Sequence, residues 1–172
     1  MPIPARLRPP TPSVEELREY TALCNQIEDA PASDVEPLLA RWNARAGRSY
    51  TRAEFKTYYG AVDTETFVGE MLLGAPALVP DLTYAELSAV LRSELDHELS
   101  GAVGSYYLEW LDVNLPGANI SDLLYWPNQW FNDEAMLQVE LTPDQFLAYA
   151  MARAGRHFAD APADVPVPYT MP

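Results

Sequence analysis

Ser13 with Glu16, Thr51 with Glu54, Thr83 with Glu86, and Thr142 with Gln145 each set a Ser or Thr three residues ahead of a Glu or Gln. That spacing is a capping box. The hydroxyl accepts from the backbone N–H three residues on, and the carboxyl or amide reaches back to the first N–H. Both groups are satisfied only if a helix starts there, so the four pairs fix four helix starts from local chemistry alone. Pro143 strengthens the last one, because the first helical position needs no N–H. Gly47, Gly60 and Gly155 stand where helices should stop.

Between these marks the apolar residues follow the helical period. Residues 13–27 place Val14, Leu17, Tyr20, Thr21, Cys24 and Ile27 on one face. Residues 33–47, opened by Ser33 or Asp34, bury Leu38, Leu39 and Trp42. Residues 50–60 and 63–74 give two short helices, the second with Phe67, Met71 and Leu72 inward. After a linker broken by Pro76 and Pro80, residues 82–95 turn Leu87, Val90, Leu91 and Leu95 to one side. Residues 98–117 do the same with Val103, Tyr106, Tyr107, Trp110 and Leu111, and residues 141–155 form the last helix. No segment alternates as a strand should, and no Asn-Gly or Asp-Gly turn occurs. The expected fold is all-α, a compact helical bundle of six to seven helices. Residues 1–13 read as a proline-rich, extended N-terminal arm, 14–75 as a helical N-terminal unit, 82–157 as a second helical unit and 158–172 as a proline-rich tail.

Charge narrows the function. The 172 residues carry a formal net charge of −14. Residues 1–60 hold 8 Lys/Arg and 8 Asp/Glu, whereas the rest holds 3 Lys/Arg against 17 Asp/Glu. Between Arg92 and Arg153 there are ten acids and no Lys or Arg. Direct nucleic-acid binding is therefore not expected, since phosphates require cations. A basic protein partner fits, because opposite fields speed encounter, and plain solubility is the competing explanation. No apolar run is long enough for a transmembrane helix, and residues 1–13 lack a signal-peptide core. The one cysteine, Cys24, permits no internal disulfide. The expected location is cytoplasmic, with no membrane partner and a monomer when free.

No catalytic constellation emerges. "DHELS" around His97 begins like a zinc-binding HExxH helix but supplies no second histidine. There is no glycine-rich phosphate loop and no G-x-S-x-G turn. Cys24 lies on an apolar stripe and reads as a small buried hydrophobe. The chain is expected to be no enzyme, with no cofactor and no metal.

The informative stretch is "NISDLLYWPNQW", residues 119–130. Ser121 can cap a one-turn helix, and Pro127 closes it by excluding its predecessor from helical geometry. Leu123 and Leu124 anchor such a turn inward. Tyr125 and Trp126 then stand at its end beside Asp122, and rigid amphipathic rings next to an acid have the composition of an interface hot spot. The competing reading is that both rings lid the core.

"SDLLYWP" resembles the S-D-L-I-Y-Y-P segment of the colicin and pyocin DNase immunity proteins, small acidic four-helix proteins that neutralise a nuclease toxin. In that family the segment is the short third helix, whose aspartate and paired aromatics contact the toxin. Residues 82–91 are similar to its first helix, 98–117 stand where its specificity-bearing second helix lies, and 141–155 resemble its last. The resemblance covers about residues 82–157. Trp126 replaces the second tyrosine, and residues 128–140 make a longer loop after Pro127. Residues 1–75 lie outside the resemblance; "LREYTALCNQIEDAPASDVEPLLARW" echoes the first two helices and so is a candidate divergent repeat. "KTYYGAVD", with paired tyrosines, lacks the acid-leucine lead and the proline.

The resemblance implies an immunity protein, an antitoxin whose partner is a cognate bacterial toxin domain, expected to be a basic nuclease. It implies steering by Glu94, Asp96, Glu98, Glu109 and Asp112 of the second helix, with Tyr107 on the same face. Ser121, Asp122, Tyr125 and Trp126 would form the anchor. Two alternatives stand beside it. One is an acidic DNA mimic that inhibits a DNA-binding protein, with acids in rows. The other is a helical adaptor without a toxin partner, with its aromatics buried.

Overall fold

The structure, a computed structural model, describes residues 2–171. Its helices are α1 (Val14–Asp29), α2 (Val35–Ala46), α3 (Arg52–Thr57), α4 (Thr64–Leu73), α5 (Tyr84–Leu95), α6 (Gly101–Asn114), α7 (Ile120–Tyr125), α8 (Pro127–Phe131) and α9 (Pro143–Ala154). Short 3₁₀ turns lie at Ala5–Leu7, Tyr58–Gly60 and Glu134–Gln138. Among the described residues there is no strand, and no helix is long and apolar enough to cross a membrane. The all-α expectation holds, with more helices than expected. The difference comes from α7 and α8, two helices where one turn and a loop were expected.

All four capping boxes form, opening α1, α3, α5 and α9. Asp63 caps α4 by accepting from the Thr66 N–H at 2.7 Å. Gly47 and Gly155 end α2 and α9 in the left-handed conformation that a Cβ disfavours.

The chain divides into two packed units. One comprises residues 9–75 and 100–106. Its core centres on Trp42, fully buried, stacked on Phe67 at 5.7 Å with the edges of Phe55 and Tyr50 against it. Gly69 of α4 faces Ala102 so closely that a Cβ there would stand 2.6 Å from the alanine methyl. Val14, expected on the buried stripe of α1, is 66% exposed; the stripe is completed instead by Leu23. Of the paired tyrosines, Tyr58 is buried and stacked on Phe67 at 4.3 Å, whereas Tyr59 faces solvent.

The other unit comprises residues 2–8, 76–99 and 107–171. Its core holds Leu87, Val90 and Leu91 of α5, Trp110 and Leu111 of α6, Ile120 and Leu123 of α7, Trp130 and Phe131 of α8, and Phe146, Leu147 and Tyr149 of α9. Asn114 clamps the proline-broken linker, accepting from the Val79 N–H at 2.9 Å and donating to the Ala77 carbonyl. α1–α4 run long, long, short and long, whereas α5–α9 have two short helices, α7 and α8, between the second and the last long ones.

The terminal segments are not free arms. Arg6 donates to both carboxylate oxygens of Glu86, each at 2.6 Å, and to Asp81 at 3.0 Å, while Leu7 is buried. The Arg6 guanidinium lowers the Glu86 carboxyl to about 2. At the other end Asp160 accepts from the Tyr84 and Ala85 N–H groups at the start of α5. The Tyr149 hydroxyl bonds the backbone of Tyr169, whose ring meets Phe131 edge-on. Prolines carry no N–H, so these segments are fixed by side chains that reach them rather than by ladders of their own.

Candidate functional site

α7 starts at an unusual place. Asn119 precedes it with φ 54°, in the left-handed region that asparagine tolerates better than most residues. The first helical N–H, that of Ile120, is accepted by the Asp112 carboxylate at 2.8 Å. Asp112 and Asn119 therefore do the work expected of Ser121, which lies exposed within the first turn. Ile120 and Leu123 are buried and Leu124 is half-buried, so the short helix is pinned by one apolar side.

The end of α7 is fixed from both directions. The Trp126 N–H donates back to the Asp122 carbonyl at 2.8 Å. The Trp126 carbonyl accepts from Gln129 and Trp130 at 2.9 and 3.1 Å and so starts α8. Trp126 itself is non-helical, φ −136° and ψ 57°, as its position before Pro127 requires. Pro127 ends one helix and opens the next at the position where its missing N–H costs nothing.

This double tie splits the four aromatics into two pairs. Trp130 and Phe131 point inward; the Trp130 indole N–H donates to the Ala118 carbonyl at 2.6 Å. Tyr125 and Trp126 point outward, 51% and 54% exposed. Asp122 stands half-buried on the same short helix.

Beneath Tyr125 lies Glu94, in the last turn of α5. The tyrosine hydroxyl donates to its Oε1 at 3.4 Å. Glu94 is only 8% exposed, and its Oε2 is buried with no hydrogen-bond partner among the described residues. Burial raises the Glu94 carboxyl above its ordinary range, with the Tyr125 hydroxyl and nearby His97 pulling the other way. Burial raises the Tyr125 phenol too, and the neighbouring carboxylate adds to it.

No family model matches the sequence, and no curated protein or solved structure shows significant similarity to it.

Several expected site residues stand elsewhere. Tyr107 is 2% exposed and its hydroxyl donates to the Leu7 carbonyl, so it belongs to the core rather than to a binding face. Its helical spacing from Trp110 and Leu111, both buried, is the reason. Glu94 belongs to α5, and Asp96 and Glu98 lie in the connection after it, because α6 begins only at Gly101. Asp96 and Glu98 are exposed, as is Glu109 on α6. Asp112 is half-buried and occupied at the start of α7. Among the described residues no group of three or more His, Cys, Asp or Glu is placed to hold a metal ion.

The Glu94–Tyr125 pairing was not expected, although a signal existed. Glu94 falls three and seven residues after Leu91 and Leu87, on the apolar stripe of its helix. An acid on a buried stripe requires either a partner or a function.

Proposed function

We propose that the chain is an immunity protein, an antitoxin that binds and neutralises a cognate bacterial toxin domain. The observation that carries this reading is the half-exposed ring pair, Tyr125 and Trp126, at the end of a six-residue helix closed by proline. Soluble proteins do not usually hold two large rings rigidly in water without a use for them. Here the backbone on both sides of Trp126 is bonded, so little order remains to be imposed on binding. The "SDLLYWP" resemblance supplies the class of partner.

In this reading Tyr125 and Trp126 are the desolvated anchor, with Ser121 and Asp122 beside them. Asp96, Glu98 and Glu109 contribute to the field that draws a basic domain in. Asp112 acts one step back by holding the start of α7. The partner is a basic nuclease domain, and the chain acts by occupancy rather than chemistry.

The test is co-expression with a toxin domain encoded beside this gene. The reading expects restored growth, lost when Tyr125 and Trp126 are both changed to Ala. Restored growth that survives the double change, or no restoration at all, contradicts it.

A further inference from the structure

We propose that Glu94 is the receptor for one cationic side chain of the partner, which takes the place of the Tyr125 hydroxyl at the carboxylate and packs against the Tyr125 and Trp126 rings. This rests on the ring pair being the partner-binding face, and it goes further by naming the group that face receives.

The charge balance of this unit points to it. A carboxylate as buried as Glu94 is normally paired. Among its described residues the unit holds five arginines and no lysine, and each arginine is engaged elsewhere; His97, near Glu94, acts on that carboxylate through charge alone. Arg6 grips Asp81 and Glu86. Arg8 donates to the Ile3 carbonyl. Arg92, on the same helix as Glu94, donates to Ser88 and pairs with Asp144 at 3.2 Å. Arg153 donates to the Trp130 carbonyl and lies over that ring. Arg156 bonds the Asn114 and Val79 carbonyls. Glu94 is left with one long bond from a neutral phenol and one oxygen with none.

The cover over that carboxylate can also be exchanged. Tyr125 is half-exposed, so its ring can turn outward without breaking the core, and it gives up a 3.4 Å bond when it does. An arriving guanidinium or ammonium would find a carboxylate with one oxygen already stripped of water and the Tyr125 ring beside it. Exposed acids elsewhere on the unit keep their hydration, so they can attract a cation but not hold it in this way.

The test uses the full chain with acetyl-arginine-methylamide as probe and its neutral isostere, acetyl-citrulline-methylamide, as control, followed by NMR. The expected result is saturable shifts of the Trp126 indole N–H and the Tyr125 amide with the arginine probe, absent with citrulline. Affinity should fall at least about tenfold in Glu94→Gln and stay unchanged in Glu140→Gln, an exposed acid of the same unit. Equal binding by Glu94→Gln, shifts spread evenly over the exposed acids, or no saturable shift up to about 100 mM probe would overturn the proposal. A thermal melt of Glu94→Gln verifies that the variant is folded. The two readings fail separately: growth restored by Glu94→Gln to the wild-type level removes the cation receptor and leaves the antitoxin, whereas arginine binding without any growth rescue removes the antitoxin and leaves the receptor.

Discussion

The hydroxyl of Tyr125 and the Oε1 of Glu94 meet at 3.4 Å, which ties the exposed end of α7 to the last turn of α5. The bond joins a half-exposed ring of the site to its most buried charge.

That charge should destabilise the free chain. Burial raises the folded-state pKa of Glu94 above its ordinary 4.5, so the folded chain binds this proton more tightly than the unfolded one. The penalty is absent below the ordinary carboxyl range and is complete once pH exceeds the raised value. Glu94→Gln should therefore raise the unfolding midpoint at pH 7 and leave it unchanged near pH 3, as measured by thermal melts across that range. A variant less stable than wild type at pH 7 would mean that the carboxylate supports the fold.

Trp126 and Trp130 are four residues apart and should behave oppositely. Trp130 is 2% exposed, bonded to Ala118 and packed against Phe131 and Tyr149. Trp130→Ala should cost about 3–5 kcal/mol in urea unfolding. Trp126→Ala should stay within about 0.5 kcal/mol of wild type.

Gly69 sets the approach of α4 to the start of α6. With a Cβ only 2.6 Å from Ala102, Gly69→Val should destabilise by about 1–3 kcal/mol. Gly69→Ala should cost less, because alanine regains about 1 kcal/mol of helix propensity. Denaturant titration of the two variants measures both.

Association with a basic toxin domain should be fast at low salt. Raising ionic strength to about 1 M shrinks the screening length to about 3 Å and should slow the on-rate tenfold or more, with a far smaller effect on the off-rate. Stopped-flow mixing measures both rates, and an on-rate indifferent to salt contradicts steering by the acidic face.

What the sequence made legible was mostly local. The capping boxes could be read because each is a bond between residues three apart, and all four formed. Pro127 marked the end of α7 for the same reason, but it also opens α8, and one residue performing both tasks left the second helix unread. Long-range bonds left no such mark. Nothing near Asp112 announces that it caps a helix eight residues on, and nothing near Arg6 announces Glu86. The docked ends were missed because proline-rich composition describes only what a segment cannot do for itself. Tyr107 and Tyr125 show the limit within the site. Both are tyrosines near acids, and only the packing of α6 and the ties around Trp126 decide that one faces in and the other out.

The most direct measurement is a binding titration of the purified toxin domain with wild-type chain and with Tyr125→Ala, each first shown to unfold at the same denaturant concentration. The account predicts one-to-one binding weakened by about 2–4 kcal/mol in the variant. Equal affinity of the two chains, at equal stability, would contradict it.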